Sequence, residues 1–565
     1  MRVCAGIDEL AAHERYAAAT PDLVAAIAEG IGQFAAGEWA PLNRIGDTQG
    51  AAIRDGIVRL PNGFAEAYHA YVAAGWNSIA GPAGFGGQDL PFTLACCVME
   101  NLGAANMAFS SLPMLTLGAI EALKLYGSAE QQALYLPRLI SGAWSGTMKL
   151  TEPQAGSDVG ALQTILWPIA DGPHAGKYRI NGTKIFITWG EHELAENIIH
   201  LVLARVPNAP SGPRGISLFV VPKYLVKADG GIGARNDLRA VSIEHNLGIH
   251  ASPTCVMSYG DNGECIGELI GLENEGLKAM FTMMNSARIS VGSQGVQVAE
   301  AALQKAARYA SERVQSARVG SGDTAPVAII QHPDLRRVLM RMRALTEGGR
   351  ALLYFTAGLV DGGAMGDAQS QQRADVLVPM LKAWGTDLGF EVASLGLQVH
   401  GGVGFVEEAG AAQFYRDVRI APIYEGTNGI QAADLVTRKL GYANGRVLNT
   451  LLMDIAAGYD ADSPLVALAQ DCMTVAAWMI DDASLDDKLA GSVPFCTMCA
   501  VAVAGWQLAR QAQSAEESDS AIAKSKRVIN RYFNEQLVAE ARGLRAAAMG
   551  GADIIYALNE IELIN

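Results

Sequence analysis

Apolar residues change their spacing twice along the chain. From Pro21 to about Leu139 they recur every three or four positions, as at Tyr68, Tyr71 and Val72, and this spacing predicts amphipathic helices. Residues 81–87 interrupt the pattern with four glycines and a proline, which favour a change of chain direction. The first part of the chain is therefore predicted to be helical, with a loop over residues 81–87.

Between about 148 and 270 the pattern consists of short β-branched and aromatic runs, which are typical of strands. These runs are residues 178–180, 184–188, 198–203 and 216–221. Asn181-Gly182 separates the first two, and this dipeptide is a strong signal for a two-residue hairpin turn. The segment predicts a β domain with a hairpin at residues 181–182.

Helical spacing returns after Gly276 and continues, with short acidic linkers, to residue 565. We therefore predict an α+β fold that is mainly helical. Its parts are an N-terminal helical domain (1–147), a middle β-barrel-like domain (148–272), a C-terminal four-helix bundle (273–440) and an appended helical domain (441–565). No Gly-x-Gly-x-x-Gly loop follows a strand, so a dinucleotide is expected in a crevice between domains.

The charge balance narrows the classes of partner. A formal net charge of −15 repels polyphosphate backbones and argues against nucleic acid. The basic cluster Lys524, Lys526, Arg527 and Arg531 falls at helical spacing, and we interpret it as a solvated helix face. A DNA-binding face is the alternative interpretation of that cluster.

The cysteines and the longest apolar stretch indicate a cytoplasmic protein. No signal-peptide pattern precedes the first helices, so the eight cysteines are expected as reduced thiols. Cys496 and Cys499 form a Cys-x-x-Cys pair without a second pair nearby, so no metal site is predicted. Residues 489–509 carry no charge, but polar residues and Pro494 interrupt them, which predicts a buried helix and no integral membrane segment.

Four segments carry candidate chemistry. In chain order they are residues 150–158 (LTEPQAGSD), 184–188 (KIFIT), 398–405 (QVHGGVGF) and 424–431 (YEGTNGIQ). Taken singly, each has an ordinary structural explanation: a surface turn, a core aromatic, a glycine helix terminator and a solvated loop glutamate. Taken together, they resemble the acyl-CoA dehydrogenases over about Thr20–Leu440.

The resemblance implies FAD as the cofactor. Around the isoalloxazine ring it places Met148, Leu150, Thr151, Gly156, Ser157, Phe186 and Thr188. Strand alternation points Phe186 and Thr188 to the same side. In the family this aromatic lies against the flavin, and the threonine bonds N5, the atom that accepts hydride. Ser157 would reach either the ring or the substrate.

The remaining FAD contacts imply an oligomer. The resemblance assigns the pyrophosphate or adenosine side, bound from the neighbouring subunit, to Gln398, Gly401, Gly402 and Arg313, and the adenine side to Thr427 and Gly429. Arg313 departs from the family pattern, because an inserted stretch through Thr324 follows it instead of an aromatic and a glycine. We predict a homodimer, because the appended domain would occupy the surface through which shorter members form tetramers.

Glu425 is the predicted catalytic base. It precedes Gly426 and follows apolar residues, so it can lie in an apolar pocket that raises its pKa and its basicity. In the family this glutamate takes the α-proton while hydride leaves the β-carbon, and its backbone amide polarises the thioester carbonyl. Some members carry the base directly before an arginine matched by Arg288, where this chain has Ala287. Arg288 and Gly426 are the predicted substrate contacts, together with Ser157.

The resemblance implies an acyl-CoA substrate and an electron-transfer flavoprotein as the electron acceptor. An acyl-CoA oxidase that uses oxygen and a DNA-associated repair flavoprotein of the same fold are the alternatives. Residues 188–192 (TWGEH) and 248–254 (GIHASPT), with the appended domain, resemble a long subfamily. The sequence leaves the acyl group open, since Phe109, Met283 and Met284 can line a pocket or belong to the core.

Overall fold

The computed structural model describes residues 1–564, apart from the side chains at positions 282 and 283. The chain forms two compact units, the first of Met1–Leu23 with Arg288–Asn565 and the second of Val24–Ala287. Helices dominate, and the strands are concentrated between residues 144 and 270. The mainly helical α+β class predicted from the sequence is confirmed, whereas the four domain boundaries remain predictions.

The second unit begins with helices that pack around an aromatic cluster. They are the part of Pro21–Phe34 from Val24 onward, Ala40–Gln49, Phe64–Ala73, Phe92–Ala105, Met107–Tyr126 and Ala129–Ser141. The last of these starts at a capping box formed by Ser128 and Gln131, which satisfies backbone groups that a helix end leaves unpaired. Phe109 is fully buried and stacks on Trp39 with ring centroids 4.2 Å apart, so it is a core residue.

An eight-stranded sheet follows these helices. In spatial order its strands are Leu238–Ile243, Thr254–Tyr259, Tyr178–Thr188, Ile266–Ile270, Ser217–Pro222, Asn197–Ala204 and Trp144–Lys149, and Ile165–Pro168 also pairs with Tyr178–Thr188. Neighbours are antiparallel except Trp144–Lys149 and Asn197–Ala204, which are parallel. The sheet is open, so the barrel-like middle domain predicted from the sequence needs correcting. Ile187, Val202 and Phe219 are buried together in its core.

The hairpin predicted at Asn181-Gly182 is wrong. Tyr178–Thr188 is one continuous strand, in which Asn181 pairs with Ile165 and Gly182 with Tyr259. Neither residue has the positive φ that this turn type needs. The glycine serves close packing instead, because a Cβ there would lie 2.4 Å from the Thr164 hydroxyl oxygen.

Short two-stranded sheets accompany the main one. They pair Ala52–Arg54 with Ile57–Arg59, Tyr224–Val226 with Ile232–Arg235, and Val314–Ala317 with Pro326–Ala328. The strands of the third pair flank residues 318–325, in the region where the sequence departs from the family pattern after Arg313. The first pair lies between two of the N-terminal helices. The apolar spacing of the sequence around it predicted helix and did not predict these strands.

The first unit is built mainly from helices. They are Arg2–Ala5, Ile7–Ala11, the part of Gly276–Glu312 from Arg288 onward, Pro333–Ala364, Ala368–His400, Ala411–Val418, Asn428–Asp434, Arg446–Ala457, Pro464–Asp481, Leu485–Ala490, Ser492–Ser514, Ala521–Tyr532, Ala539–Gly543, Arg545–Ala548 and Glu560–Ile564. Edge-on aromatic pairs join the predicted bundle to the appended helices: Phe355 meets Trp506 at 5.4 Å, and Trp384 meets Phe533 at 6.4 Å between ring centroids.

Two helices are long and apolar enough to cross a membrane, Met107–Tyr126 and Ser492–Ser514, and 78% of the apolar window of each is buried in the fold. All eight cysteines are free and buried, and the described residues contain no group of metal-binding side chains. In the basic cluster, Lys526 pairs with Glu347 at 2.8 Å, and Arg527 donates to the carbonyl oxygen of Ala515. These contacts engage part of the cluster within its own chain.

Candidate active site

Glu425 lies in a strained turn of the first unit. Its φ is +57° and that of Gly426 is +82°, a left-handed conformation that is uncommon for residues other than glycine. The Gln431 side-chain amide donates to the carbonyl oxygens of both residues at 3.3 Å. A Cβ at position 426 would lie 2.6 Å from that amide nitrogen, so the close approach requires glycine. Strain held in this way is common at functional sites.

Asn428 ties the same turn to the neighbouring helix Ala368–His400. Its side-chain oxygen accepts from Lys382 Nζ at 3.0 Å, and its amide donates to an Asp387 carboxylate oxygen at 2.7 Å. Thr427 begins the helix Asn428–Asp434 by accepting from the Ile430 N–H. The position of Glu425 is therefore fixed by a capped helix and by the hydrogen bonds that Asn428 makes to the neighbouring helix.

The electrostatics of the turn favour a basic carboxylate. Burial of the carboxyl group raises the pKa of Glu425, while the positive charges of Arg288 and Lys382 lower it. Burial lowers the pKa of Lys382 to about 7, and the nearby Glu425 carboxylate raises it. Arg288 is buried and lies close to Gly426: a Cβ added to that glycine would be 3.7 Å from a guanidinium nitrogen of Arg288. A partly desolvated carboxylate near two cationic side chains can both ionise and hold a pKa suited to proton abstraction.

Tyr424 directly precedes the predicted base, and Ala287 occupies the position at which some members of the resembled family carry theirs. The Tyr424 hydroxyl donates to Gln294 Oε1, which anchors the residue just before Glu425. Ala287 is buried and carries no ionisable group, so the position before Arg288 holds no base.

A bulge in the second unit displays Phe186. Cys255 pairs with Ile187 and Met257 with Lys184, so two residues on one strand face one on the other. Phe186 has a φ of +56° and is 59% exposed, while Ile187 points into the core. Bulges often aim a side chain at a functional site. This one holds a large aromatic ring out of the core.

The segment after strand Trp144–Lys149 is held beside this bulge by a buried ion pair. Ile185 N donates to the Thr151 carbonyl at 3.0 Å, which places Thr151 next to the bulge. Lys184 Nζ lies 2.8 Å from a Glu152 carboxylate oxygen, and both side chains are buried. Burial opposes the charge of Glu152, but Lys184 and several hydrogen bonds outweigh burial and lower the pKa of Glu152 to about 2.

The predicted ring contacts of the second unit fit a flavin. An isoalloxazine ring needs an apolar or aromatic face and polar groups along its edge. Phe186 provides the exposed aromatic face, and the hydroxyls of Thr151, Ser157 and Thr188 make no hydrogen bond within the described chain. Gly156 is exposed, with open space where a Cβ would be. Among the other predicted ring contacts, Met148 is buried and Leu150 is half-buried.

The predicted phosphate-side residues lie on the surface of the first unit. Gly401 and Gly402 are exposed at the end of helix Ala368–His400, and Gln398 is exposed one turn earlier. Phe405, on the following turn, is 92% exposed. Arg313 is exposed and donates to Gln315 Oε1 at 3.2 Å. Thr427 and Gly429 are also exposed, at the start of helix Asn428–Asp434.

Two side chains of the site were not singled out from the sequence, Lys382 and Asn428. Lys382 was recognisable in principle, because it is the one charge in the apolar helical run from Val376 to Thr386. Met284, a candidate pocket residue, is half-buried, and the side chain of Met283 lies outside the described part of the chain.

Family models match the chain in four successive blocks. They are the acyl-CoA dehydrogenase N-terminal domain at residues 25–143, the middle domain at 147–261, the C-terminal domain at 274–440 and an acetyl-CoA dehydrogenase C-terminal-like domain at 459–559. The predicted resemblance to a long subfamily with a helical extension is confirmed. The catalytic, substrate-binding and cofactor-binding assignments remain predictions.

Three similar proteins span most of the chain. A 3-methylmercaptopropionyl-CoA dehydrogenase of Ruegeria pomeroyi is 46% identical over 94% of this chain and 93% of its own. The broad-specificity linear acyl-CoA dehydrogenase FadE5 of Mycobacterium tuberculosis is 34% identical over 80% of this chain and 78% of its own. A Bacillus anthracis acyl-CoA dehydrogenase solved with FAD shares the fold, with a TM-score of 0.75, 20% identity and coverage of 96% of this chain and 91% of its own.

The fold and the comparisons define a flavin-dependent oxidoreductase. The chain belongs to the acyl-CoA dehydrogenase family. Its cofactor is FAD, and its activity is the FAD-dependent dehydrogenation of an acyl-CoA.

Proposed function

We propose that Glu425 is the base that removes the α-proton of a short acyl-CoA to give the trans-2-enoyl-CoA. The observation that carries this proposal is the half-buried Glu425, whose carboxylate is held in a strained turn next to Arg288 and Lys382. Proton abstraction from a weak carbon acid needs a base of raised pKa in a fixed position. The turn provides both properties.

The backbone of the same turn is suited to polarising the thioester. The Glu425 N–H donates no hydrogen bond within the described chain, so it can donate to the thioester carbonyl oxygen. A donor fixed where negative charge develops stabilises the transition state. Arg288 would order the pocket beside Gly426, and Ser157 would contact the ring or the substrate. Bound FAD supplies the acceptor for hydride from the β-carbon.

The cofactor assignment rests on two surfaces described separately in the two units. Residues around the Phe186 bulge would hold the ring: Met148, Leu150, Thr151, Gly156, Ser157, Phe186 and Thr188. The pyrophosphate and adenine side would be held by Gln398, Gly401, Gly402, Arg313, Thr427 and Gly429. The exposure of the glycines supports a role toward a neighbouring subunit, as expected for a homodimer.

The names of two relatives support a short acyl group as the proposed substrate class. The Ruegeria protein is named for a short sulfur-containing thioester, and a 38% identical Syntrophomonas wolfei protein is named butyryl-CoA dehydrogenase. We therefore expect 3-methylmercaptopropionyl-CoA and butyryl-CoA to bleach the flavin in an anaerobic titration, and long-chain thioesters to bleach it poorly. Bleaching by long chains alone would refute the short-chain proposal. Failure of every thioester with flavin bound would refute the proposed reaction.

The electron acceptor is tested in the same preparation. We propose an electron-transfer flavoprotein in a cytoplasmic setting, where eight buried thiols stay reduced. Turnover should depend on added electron-transfer flavoprotein and yield little peroxide in air. Stoichiometric peroxide with oxygen as the only acceptor would show the oxidase alternative to be correct.

Lys382 should set the pH at which Glu425 becomes active. Its charge favours the carboxylate form, so Lys382→Met should raise the pKa of Glu425 and move the acidic limb of the flavin-reduction profile to higher pH. The loss of rate should then be larger at pH 6 than at pH 9. Stopped-flow reduction across this range measures the limb.

Two variants separate charge from packing in that experiment. Lys382→Arg keeps the cation and should keep the limb near its original pH. Lys524→Met removes an exposed lysine of the same unit and should change nothing. An unmoved limb in Lys382→Met would show that Lys382 supports only the Asn428 contact.

A further inference from the structure

The described residues from Asp553 to Ile564, here called the 553–564 arm, are exposed along their whole length. Seven of them are large and apolar, each between 52 and 85% exposed: Ile554, Ile555, Tyr556, Leu558, Ile561, Leu563 and Ile564. At about 200 Å² for a large side chain, the arm exposes roughly 900 Å². The largest apolar patch of a typical monomer is about 300–600 Å². The arm therefore has the character of a surface that another molecule covers.

The arm has local order that its own packing does not explain. Asn559 caps the helix Glu560–Ile564, since its side-chain oxygen accepts from the N–H groups of Ile561 at 3.0 Å and Glu562 at 3.1 Å. That helix has no buried residue. Isolated helices shorter than about 12–15 residues are marginal in water. A five-residue apolar helix consequently needs a surface to pack against.

The arm starts beside a second exposed apolar feature. Ala552 is buried, and its N–H donates to Asp487 Oδ1 at 2.8 Å, on the helix Leu485–Ala490. On that helix Leu485 and Leu489 are exposed one turn apart, and Val493 is exposed at the start of the following helix, Ser492–Ser514. We call these three residues the 485–493 stripe. An apolar arm and an apolar stripe thus lie next to each other on one unit.

We propose that the 553–564 arm docks on the 485–493 stripe of a second copy of this chain, and that the second copy returns the same contact. A twofold interface is self-complementary, so the donating and the receiving surface must belong to the same patch. The arm starts at Ala552, which is bonded to the helix that carries Leu485 and Leu489, so the arm and the stripe belong to one patch. The exposed area also matches the roughly 800 Å² that each partner contributes to a standard interface. This inference does not depend on the proposed reaction.

The charges of the arm favour a protein partner over a lipid surface. Asp553, Glu560 and Glu562 are its only charged residues, and it contains no lysine or arginine. Helices that lie on membranes carry basic residues on their polar face. Lys488, between Leu485 and Leu489 in sequence, offers a cation to the acidic side chains of an incoming arm.

Sedimentation velocity over a dilution series tests the interface. A chain that ends after Ala552, and a full chain with Leu485→Glu and Leu489→Glu, should each self-associate at least tenfold more weakly than the parent. Ile522→Glu replaces another exposed apolar residue of the same unit and should leave association unchanged. Unchanged association in both the shortened and the stripe variant would overturn the proposal. So would association that Ile522→Glu weakens equally.

Cross-linking identifies which copy receives the arm. Two copies are co-expressed with different tags: one ends after Ala552 and keeps Lys488, and the other keeps the arm and carries Lys488→Arg. Carbodiimide coupling of doubly purified dimers should join Lys488 of the short copy to Glu560 or Glu562 of the other. Coupling of the arm to its own chain alone would overturn the proposal.

Hydrogen exchange provides a further test. Arm amides that exchange hydrogen at free-peptide rates, or an arm protected only by added phosphatidylglycerol vesicles, would also overturn the proposal. None of these readouts involves flavin reduction, so they are independent of the catalytic proposal.

Discussion

Glu425→Gln should bind FAD and fold like the parent while its flavin is reduced by substrate at least about 10³-fold more slowly, within the range that general bases contribute. The amide keeps the shape of the side chain but has no basic oxygen pair to accept a proton from carbon. The Gln431 contacts to the turn are made to backbone carbonyls, so they survive the substitution. Anaerobic stopped-flow reduction by butyryl-CoA, with flavin content and circular dichroism recorded on the same sample, measures the effect.

The control for this substitution is Glu408→Gln, which changes an exposed glutamate of the same unit. It should reduce the flavin at the parent rate. If Glu425→Gln retained a tenth or more of the parent rate, the base would have to be sought elsewhere. Ala287 excludes the other location known from the resemblance, because it carries no ionisable group.

The helical parts of the fold were predictable because their apolar spacing is strong and repeated. The middle domain shows where local signals fail. Asn181-Gly182 has the composition of a tight turn, yet Tyr178–Thr188 pairs on both sides across it and packs against Thr164. Pairing over a whole strand outweighs the preference of two residues, and only the tertiary structure reveals that pairing.

The candidate site was predictable in its residues but not in its geometry. The composition and order of the four segments are enough to point to Glu425 and Phe186. The left-handed backbone of both residues has no such signal, because neither is a glycine. Lys382 and Asn428 meet only when helices Ala368–His400 and Asn428–Asp434 pack together. Contacts of this kind depend on packing between elements distant in sequence.

The second large effect is expected at the buried pair between Glu152 and Lys184. Lys184 Nζ also donates to the carbonyl oxygens of Leu150 at 3.2 Å and Leu203 at 2.8 Å, so the pair joins the segment after Trp144–Lys149 to two strands. Glu152→Gln leaves a buried cation without its counter-charge, which costs about 3–5 kcal/mol. Hydrogen exchange of the amides in Tyr178–Thr188 should report that loss as a lower opening free energy.

A matched pair on the surface provides the control for this prediction. Arg59 and Glu193 lie 2.7 Å apart with both side chains about half exposed, so Glu193→Gln should cost only about 0–1 kcal/mol. Equal effects of Glu152→Gln and Glu193→Gln on the opening free energy would contradict a special role for the buried pair. The double variant Glu152→Gln with Lys184→Met should recover part of the loss, because it removes the uncompensated charge.

The pH dependence of the same opening gives a second, independent measure. The folded pKa of Glu152 is lowered from 4.5 to about 2, so its carboxylate stabilises the fold fully above the unfolded pKa. That contribution is lost as pH falls from about 4.5 to about 2, while Glu152→Gln has no such step. The opening free energies of parent and variant should therefore converge toward pH 2 and reach their full difference by about pH 5. A constant difference between them across this range would mean that the ionised carboxylate of Glu152 is not what holds the segment beside the Phe186 bulge.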